Sequence, residues 1–346
     1  MTVASDSRAS YSHVAATDNY KEMNDLSKDA VNRLAVDEAG AGQRVDNFLL
    51  RVLKGVPKSH IYRILRSGEV RVNRLRVKPD VRLVLGDELR IPPIRTGVPA
   101  AGKRKPPPLS ASIPILYEDD ALIAVDKPAG LAVHGGSGVA FGLIEQMRAA
   151  RPTAKFLELV HRLDRDTSGV ILIAKKRAAL VGLHAALREG RVDKRYQILV
   201  KGQWRDAKRE VTLPLTKFLT SAGERRVRVE EVGGQAAKTV FYRRRVWTDV
   251  DPAMSLLEAE LHTGRTHQIR VHLTHLGFAL AGDEKYGDFA WNKKLSKQGL
   301  KRMFLHARRL AFAHPVEERE VEIEAALPSE LSRFLESMDS APQADA

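Results

Sequence analysis

Two carboxylates set among cations are the residues of this chain best suited to chemistry. They are Asp164 and Asp166, within His161-Arg162-Leu163-Asp164-Arg165-Asp166-Thr167-Ser168-Gly169. The cluster passes straight into Val170-Ile171-Leu172-Ile173-Ala174, an apolar run that reads as a buried strand. It is therefore a charged loop fixed to the edge of a core, where sites tend to be built. An Asp beside arginines is held ionised, because nearby positive charge favours the carboxylate. At pH 7 such a group can be a nucleophile, a base or half of a structural ion pair, and the cluster alone does not choose. Asp166 is expected to brace the loop through Thr167 and Ser168.

Other chemistries fit less well. There are no cysteines, which excludes disulfides, thiolate metal sites and thiol nucleophiles and fits a reducing cytoplasm. His267, His272 and His275 lie close in sequence, but no carboxylate falls between them to complete a zinc set, so no metal is expected. The glycine-rich stretch His134-Gly135-Gly136-Ser137-Gly138 lacks the Lys-Ser/Thr of a phosphate loop and the spacing of a hydrolase elbow. A loop lying close to a substrate backbone suits it better. No cofactor is expected.

The elements around the loop fall into two groups. Between Arg33 and Ile91, Val45, Phe48, Leu49 and Val52 recur at helical spacing. Ser59 is placed to cap a second helix, His60 to Arg66, with Ile61, Ile64 and Leu65 on one face and His60, Arg63 and Arg66 on the other. Short strands at Arg33–Val36, Val70–Asn73 and Val84–Ile91 complete this part. From about Ile115 a larger domain begins. Ala121–Val125 is a buried strand, Leu143–Ala150 and Arg177–Arg188 are helices, and strand-like segments then follow one another without helices between them. These include Arg195–Val200, Val211–Leu213, Arg226–Val229, Lys238–Tyr242 and Ser255–Leu261, which predicts a largely antiparallel sheet. His262 to Leu273 reads as a loop entering a helix. The expected boundaries are a disordered extension over 1–30, a small domain over 31–95, a basic Pro-rich linker over 96–113, a larger domain over 114–335 and a polar tail over 336–346. The fold class is α+β: a small αβ module, and a mixed, largely antiparallel sheet flanked by helices and loops.

Charge points to the partner. The net charge is +14. Residues 41–110 carry 16 Lys and Arg against 5 Asp and Glu, so most of the excess lies in one segment. Such an excess suits a polyanion, and a basic helix face beside short strands suits RNA phosphates. The first domain resembles the S4 RNA-binding domain in Gln43-Arg44-Val45-Asp46, Pro57-Lys58-Ser59 through Leu65, the Gly68 turn with Val70-Arg71-Val72-Asn73, and Gly86-Asp87. The resemblance implies an RNA-facing surface of Arg44, Lys58, Arg63, Arg66 and Arg71. No run of about 18 apolar residues is present to span a membrane. The chain is expected to be a cytoplasmic monomer.

A reaction that needs only a carboxylate, an arginine and an aromatic surface fits these residues, and isomerisation of a uridine is one. His161 to Gly169 resembles the signature of the large-subunit rRNA pseudouridine synthases. So do Tyr117 to Gly130, Lys194-Arg195-Tyr196, Thr263 to His272 and Gly282-Asp283-Glu284-Lys285-Tyr286-Gly287. The resemblance spans residues 33–335 and implies the pseudouridine synthase fold. It implies that Asp164 is the catalytic aspartate and that Tyr196 stacks on the uracil and later takes a proton from its ring. It implies that Arg270 pairs with Asp164, with Arg265 the second choice, and that Arg162 fills the gap left by the displaced uridine. His161, Arg265, Thr266, His267 and Gln268 are expected to touch substrate. The expected partner is 23S rRNA or a pre-50S particle. Two other functions stay open at this point: an RNA-binding or ribosome-assembly protein with a vestigial site, against which Asp164 itself speaks, and another carboxylate enzyme on RNA, for which no second carboxylate is clearly placed to activate water.

Overall fold

The computed structural model describes residues 27, 29–38, 40–53, 56–94, 113–135, 141–221, 223–317 and 319–340. Most of the expected N-terminal extension, nearly all of the expected linker and the Gly136-Ser137-Gly138 segment lie outside them. The chain divides into two units, Met1–Arg104 and Lys105–Ala346.

In the first unit β1 (Asn32–Ala35) precedes α1 (Val45–Val52) and α2 (Lys58–Arg66), followed by β2 (Arg71–Val72), β3 (Leu75–Arg76) and β4 (Glu88–Ile91). The strands form one antiparallel sheet in the order β1-β4-β2-β3. Val45, Phe48, Leu49 and Val52 of α1 bury against Ile61, Ile64 and Leu65 of α2 and against Leu34, Leu89 and Ile91 of the sheet. The β2–β3 hairpin turns at Asn73-Arg74, both with positive φ (50° and 68°), the backbone of a two-residue hairpin whose twist matches its strands. The expected Ser59 cap is corrected. The helix starts two residues earlier, at Lys58, its N-cap is Pro57, and no side chain caps it.

The second unit runs β5 (Ile115–Glu118), β6 (Leu122–Lys127), α3 (Leu143–Ala150), β7 (Glu158–Leu159), β8 (Ser168–Ala174), α4 (Arg177–Arg188), β9 (Asp193–Lys201), β10 (Lys208–Thr212), β11 (Leu215–Leu219), β12 (Arg225–Val229), β13 (Lys238–Trp247), β14 (Met254–Leu261), α5 (Gln268–His275), α6 (Phe289–Lys297), β15 (Leu305–Ala313), β16 (Glu320–Glu324) and α7 (Ser329–Asp339). A ten-stranded sheet follows the path β10-β13-β14-β9-β15-β8-β6-β5, with β16 added to β15 and β7 to β8. Its pairings are antiparallel except β15 with β8. A separate hairpin, β11–β12, stands off the sheet.

Strand β8 shows why the run after the charged loop is apolar at every position. Ile171 and Ile173 enter a core with Leu143, Ile144 and Met147 of α3 and Ile269 and Leu273 of α5. Val170, Leu172 and Ala174 face the other way, onto Ala179, Leu180 and Leu183 of α4. A strand covered on both faces cannot alternate apolar with polar residues. At the C-terminus, α7 carries Leu331, Phe334 and Met338 into a further core with Trp247, Trp291 and Phe304, so packed structure continues past residue 335.

Candidate active site

The charged loop is held from three sides. Thr167 N donates to Asp164 O at 3.2 Å, closing a turn over Arg165 and Asp166. Lys127, wholly buried at the end of β6, donates from Nζ to the carbonyls of Pro128 (2.9 Å), Leu131 (2.9 Å) and Arg165 (3.0 Å). Burial disfavours its charge and brings its pKa down to about 7, although Asp166 and Asp164 oppose the shift. Beyond the turn, Ser168 Oγ lies 2.9 Å from His306 Nδ1 and accepts from Arg302 Nη2 at 2.6 Å, while His306 Nε2 reaches Ala325 O at 3.1 Å. Gly169, at φ +110°, runs so close to β15 that a Cβ there would sit 2.2 Å from Ala307 O. No other residue fits.

This support presents Asp164 to a guanidinium from a distant segment. Arg270, in the first turn of α5, donates from Nη1 to Asp164 Oδ2 at 2.9 Å. Its other face is clamped by Asp283: Nε to Oδ2 at 2.7 Å and Nη2 to Oδ1 at 2.8 Å. Asp283 is fully buried and also accepts the backbone N–H groups of Lys285 (2.8 Å) and Tyr286 (3.0 Å). Burial would raise its pKa, but the bonds from Arg270 and the two amides outweigh burial and hold it below the usual carboxylate range. Arg270 is likewise kept charged by Asp283 and Asp164 against its own burial. The Tyr286 ring lies under the guanidinium at 5.0 Å. One cation is thus shared between two carboxylates, and Asp164 receives a single one of its bonds.

Two clefts meet at Asp164. The smaller, of about 430 Å³, is lined by Tyr196, Leu261, Ile269 and the Thr263–Gln268 loop; the larger, of about 1100 Å³, by Lys127, Arg165, Asp166, Lys285 and Arg302. Arg162, Asp164, His267 and Arg270 line both. Tyr196 sits on β9 in the central part of the sheet, packed in the core and open to the smaller cleft. Burial, helped by the Asp164 charge, raises the pKa of its phenol, so it stays protonated at neutral pH.

The structure brings Asp164, Tyr196, Arg270, Arg162 and His267 together and revises several other expectations. Arg265 does not compete for Asp164; its Nε donates to Ala236 O at 3.0 Å. Gln268 spends its amide on the fold, accepting from Thr263 Oγ1 (2.7 Å) and Arg265 N (3.0 Å) and donating to Lys238 O and Thr239 Oγ1 (both 2.9 Å). Its amide shapes the loop that lines the smaller cleft. His161 likewise lines the smaller cleft, but its Nε2 accepts the backbone N–H of Leu172 at 3.1 Å, and burial lowers its pKa to about 4. Its ring ties the loop to β8. Asp166 does not bond Thr167 or Ser168: the turn points it outward, and Arg165 grips it at 3.0 and 3.2 Å. Thr266 lines the smaller cleft, and Arg162 is exposed. His272 has both nitrogens engaged, with Thr239 Oγ1 and with Leu213 O, each at 3.0 Å. Asp283 and Tyr286 were missed as parts of the site, although their Gly282–Gly287 bracket is visible in the sequence. Cβ atoms on those glycines would sit 2.1 Å from Arg302 O and 2.4 Å from Asp283 O.

In the first unit Lys58, Arg63, Arg66 and Arg71 are exposed, and Arg44 is half committed to Asp46 at 2.7 Å. A groove of about 490 Å³ gathers Arg71 with Arg33, Arg74, Arg76 and Arg90, four arginines that periodicity alone did not single out.

Comparison with known proteins shows the family. Residues 121–275 match the family model for RNA pseudouridylate synthase, and residues 43–89 match the S4 domain. The chain is 46% identical over 325 residues to ribosomal large subunit pseudouridine synthase C of Pasteurella multocida (strain Pm70), covering 92% of this chain and 97% of the relative. The protein of the same name from Escherichia coli (strain K12) is 47% identical over 317 residues, covering 90% and 98%. The chain belongs to the pseudouridine synthase family. It is thereby an enzyme of the isomerase class, with an S4 domain ahead of the pseudouridine synthase fold. Among solved structures, Human RNA Pseudouridylate Synthase Domain Containing 4 aligns with TM-score 0.51 at 25% identity, over 65% of this chain and 92% of that one. Human RNA Pseudouridylate Synthase Domain Containing 1 aligns with TM-score 0.52 at 23% identity, over 68% and 97%. Within the pseudouridine synthase unit, no helix of the described residues is long and apolar enough to cross a membrane.

Proposed function

We propose that this enzyme isomerises specific uridines of 23S rRNA to pseudouridine, acting as a cytoplasmic monomer without a cofactor, on free rRNA or a pre-50S particle. The observation that carries the reading is Asp164: a carboxylate fixed by one guanidinium bond at 2.9 Å, at the point where a cleft floored by a buried tyrosine meets a wider charged cleft. In this reading the target nucleotide leaves its stack and enters the smaller cleft, at a cost of a few kcal/mol. Arg162, exposed at the mouth, occupies the space it vacates. Asp164 attacks the uridine or stabilises the positive charge that develops on the sugar as the glycosidic bond breaks. Its Oδ2 is held by Arg270, which leaves Oδ1 for that task. Tyr196 offers its ring face to the uracil. Burial keeps its phenol protonated, and the ring serves as a stacking surface. The relatives' names, the S4 domain and the excess of cations in residues 41–110 support large-subunit rRNA as the substrate.

The test is a map of pseudouridines in 23S rRNA from cells lacking the protein, complemented with wild type or with Asp164→Asn. Specific sites should vanish, return with wild type and stay absent with Asp164→Asn, while the purified variant binds rRNA within a few-fold of wild type. Full modification by Asp164→Asn would sink the mechanism, and an unchanged map in the deleted cells would sink the substrate.

A further inference from the structure

The imidazole of His267 stands beside Asp164 with its two nitrogens in different surroundings. Nδ1 lies 2.8 Å from the hydroxyl oxygen of Tyr286. That oxygen already accepts the backbone N–H of Val227 at 2.9 Å. The hydroxyl has one proton to give, and among the described residues Nδ1 is the acceptor it reaches. A phenol donating to Nδ1 fixes the neutral ring with its proton on Nε2. Burial disfavours the charged ring and holds His267 below the ordinary imidazole value; the Asp164 charge opposes this, and Arg270 and Lys285 reinforce it. Nε2 is 3.8 Å from Asp164 Oδ2, beyond hydrogen-bond reach. The Nε2–H is therefore a donor with no acceptor among the described residues, on a side chain that lines both clefts. The ring is edge-on to Tyr286 at 5.4 Å, and its backbone is left-handed (φ 54°) at the head of α5, so its direction is set.

We propose that the Nε2–H of His267, its tautomer set by Tyr286, donates a hydrogen bond to a carbonyl oxygen of the target uracil while the base is detached from the ribose. The proposal rests on the uridine-isomerising reading of the site. When the C1′–N1 bond breaks, its electron pair stays with the base, and negative charge spreads over N1 and the carbonyl oxygens. A fixed neutral donor strengthens as that charge grows. His267 gives up no proton. The base turns and forms the C1′–C5 bond with that electron pair; C5 then gives its proton to water, and N1 takes one back from water. Arg270 already gives three of its five N–H donors to Asp283 and Asp164. Tyr286 touches no substrate in this scheme and is a positioning residue.

Two measurements test it. The first is ¹⁵N NMR of ring-labelled full-length protein without RNA. It should show His267 protonated at Nε2 with Nδ1 hydrogen-bonded, and Tyr286→Phe should move the Nδ1 resonance towards its unbonded position. A proton on Nδ1 in wild type overturns the tautomer lock. The second is single-turnover kinetics on a 23S rRNA fragment. His267→Ala should slow the step by about 100-fold with substrate affinity within a few-fold. His267→Gln, whose amide N–H reaches towards the Nε2 position, should recover much of that rate, and His267→Asn should not. Equal rates for Ala and Gln, or a full rate for Ala, overturn the donor role. A wild-type protein that forms no pseudouridine on 23S rRNA sinks the reading beneath the proposal instead.

Discussion

At the scale of single residues, the site is an arrangement of charge around Arg270. The guanidinium gives two bonds to Asp283 and one to Asp164, and the carboxylate that receives more is the one with no solvent access. Breaking a buried pair by removing one partner leaves an uncompensated charge. Asp283→Ala should therefore cost about 3 kcal/mol or more of folding stability, read as a lower urea midpoint. Asp283→Asn keeps the shape and should fold better, but with Arg270 released from its clamp the catalytic rate should fall while rRNA affinity holds. An unchanged rate in a folded Asp283→Asn protein would show that the clamp does not matter to the reaction. The sequence made Asp164, Tyr196 and Arg270 legible through residue type and resemblance. It could not separate Gln268 and His161, whose polar atoms are consumed within the fold, from residues free to meet a substrate. That distinction depends on hydrogen-bond partners at Lys238, Thr239 and Leu172, which spacing does not reveal.

At the scale of elements, β8 carries the loop and β15 fixes β8. At Gly169 the two strands leave no room for a side chain. Gly169→Ala should destabilise the protein by about 3 kcal/mol or more, because the methyl meets a main-chain carbonyl that cannot move aside. Gly190→Ala also places a side chain at positive φ (+72°, near the left-handed helical well) but has open space around it, and should cost only about 1 kcal/mol. Thermal melts of the two variants side by side would test the difference; equal losses would count against the close approach. His306 on β15 adds a pH dependence. Burial holds it neutral, with a pKa of about 4 in the fold against 6.5 unfolded. The unfolded chain thus binds more protons between those values, so stability falls as pH drops from 6.5 to 4, by about 3 kcal/mol from this residue. His306→Gln should flatten that part of the urea midpoint against pH, and an unaltered slope would refute the assignment. The long helices and the consecutive strands were readable because their apolar spacing is regular. Helix α7 has the same regularity in Leu331, Phe334 and Met338, yet its last turn, past residue 335, reads as the start of a polar tail. The off-sheet pairing of β11 with β12 has no local signal that distinguishes it from another strand of the main sheet.

At the scale of the whole molecule, the charge is divided as unevenly as the labour. Residues 41–110 hold most of the +14 excess, while the second unit pairs much of its charge internally. Removing residues 1–95 should weaken rRNA binding and flatten the dependence of log Kd on log salt, because fewer counterions are released. The fold of residues 110–335 should survive, as judged by circular dichroism and melting. Equal affinity in the truncated protein would remove the RNA-binding role from the S4 unit. The Ser168–His306 contact joins segments 138 residues apart and has a consequence in time. A ribosome making this chain releases the S4 unit early, and that unit can close its own core from local segments. Asp164 leaves the ribosome long before β15, which must pair beside β8 to anchor its loop. The growing chain therefore acquires the means to hold RNA well before it acquires the means to alter it.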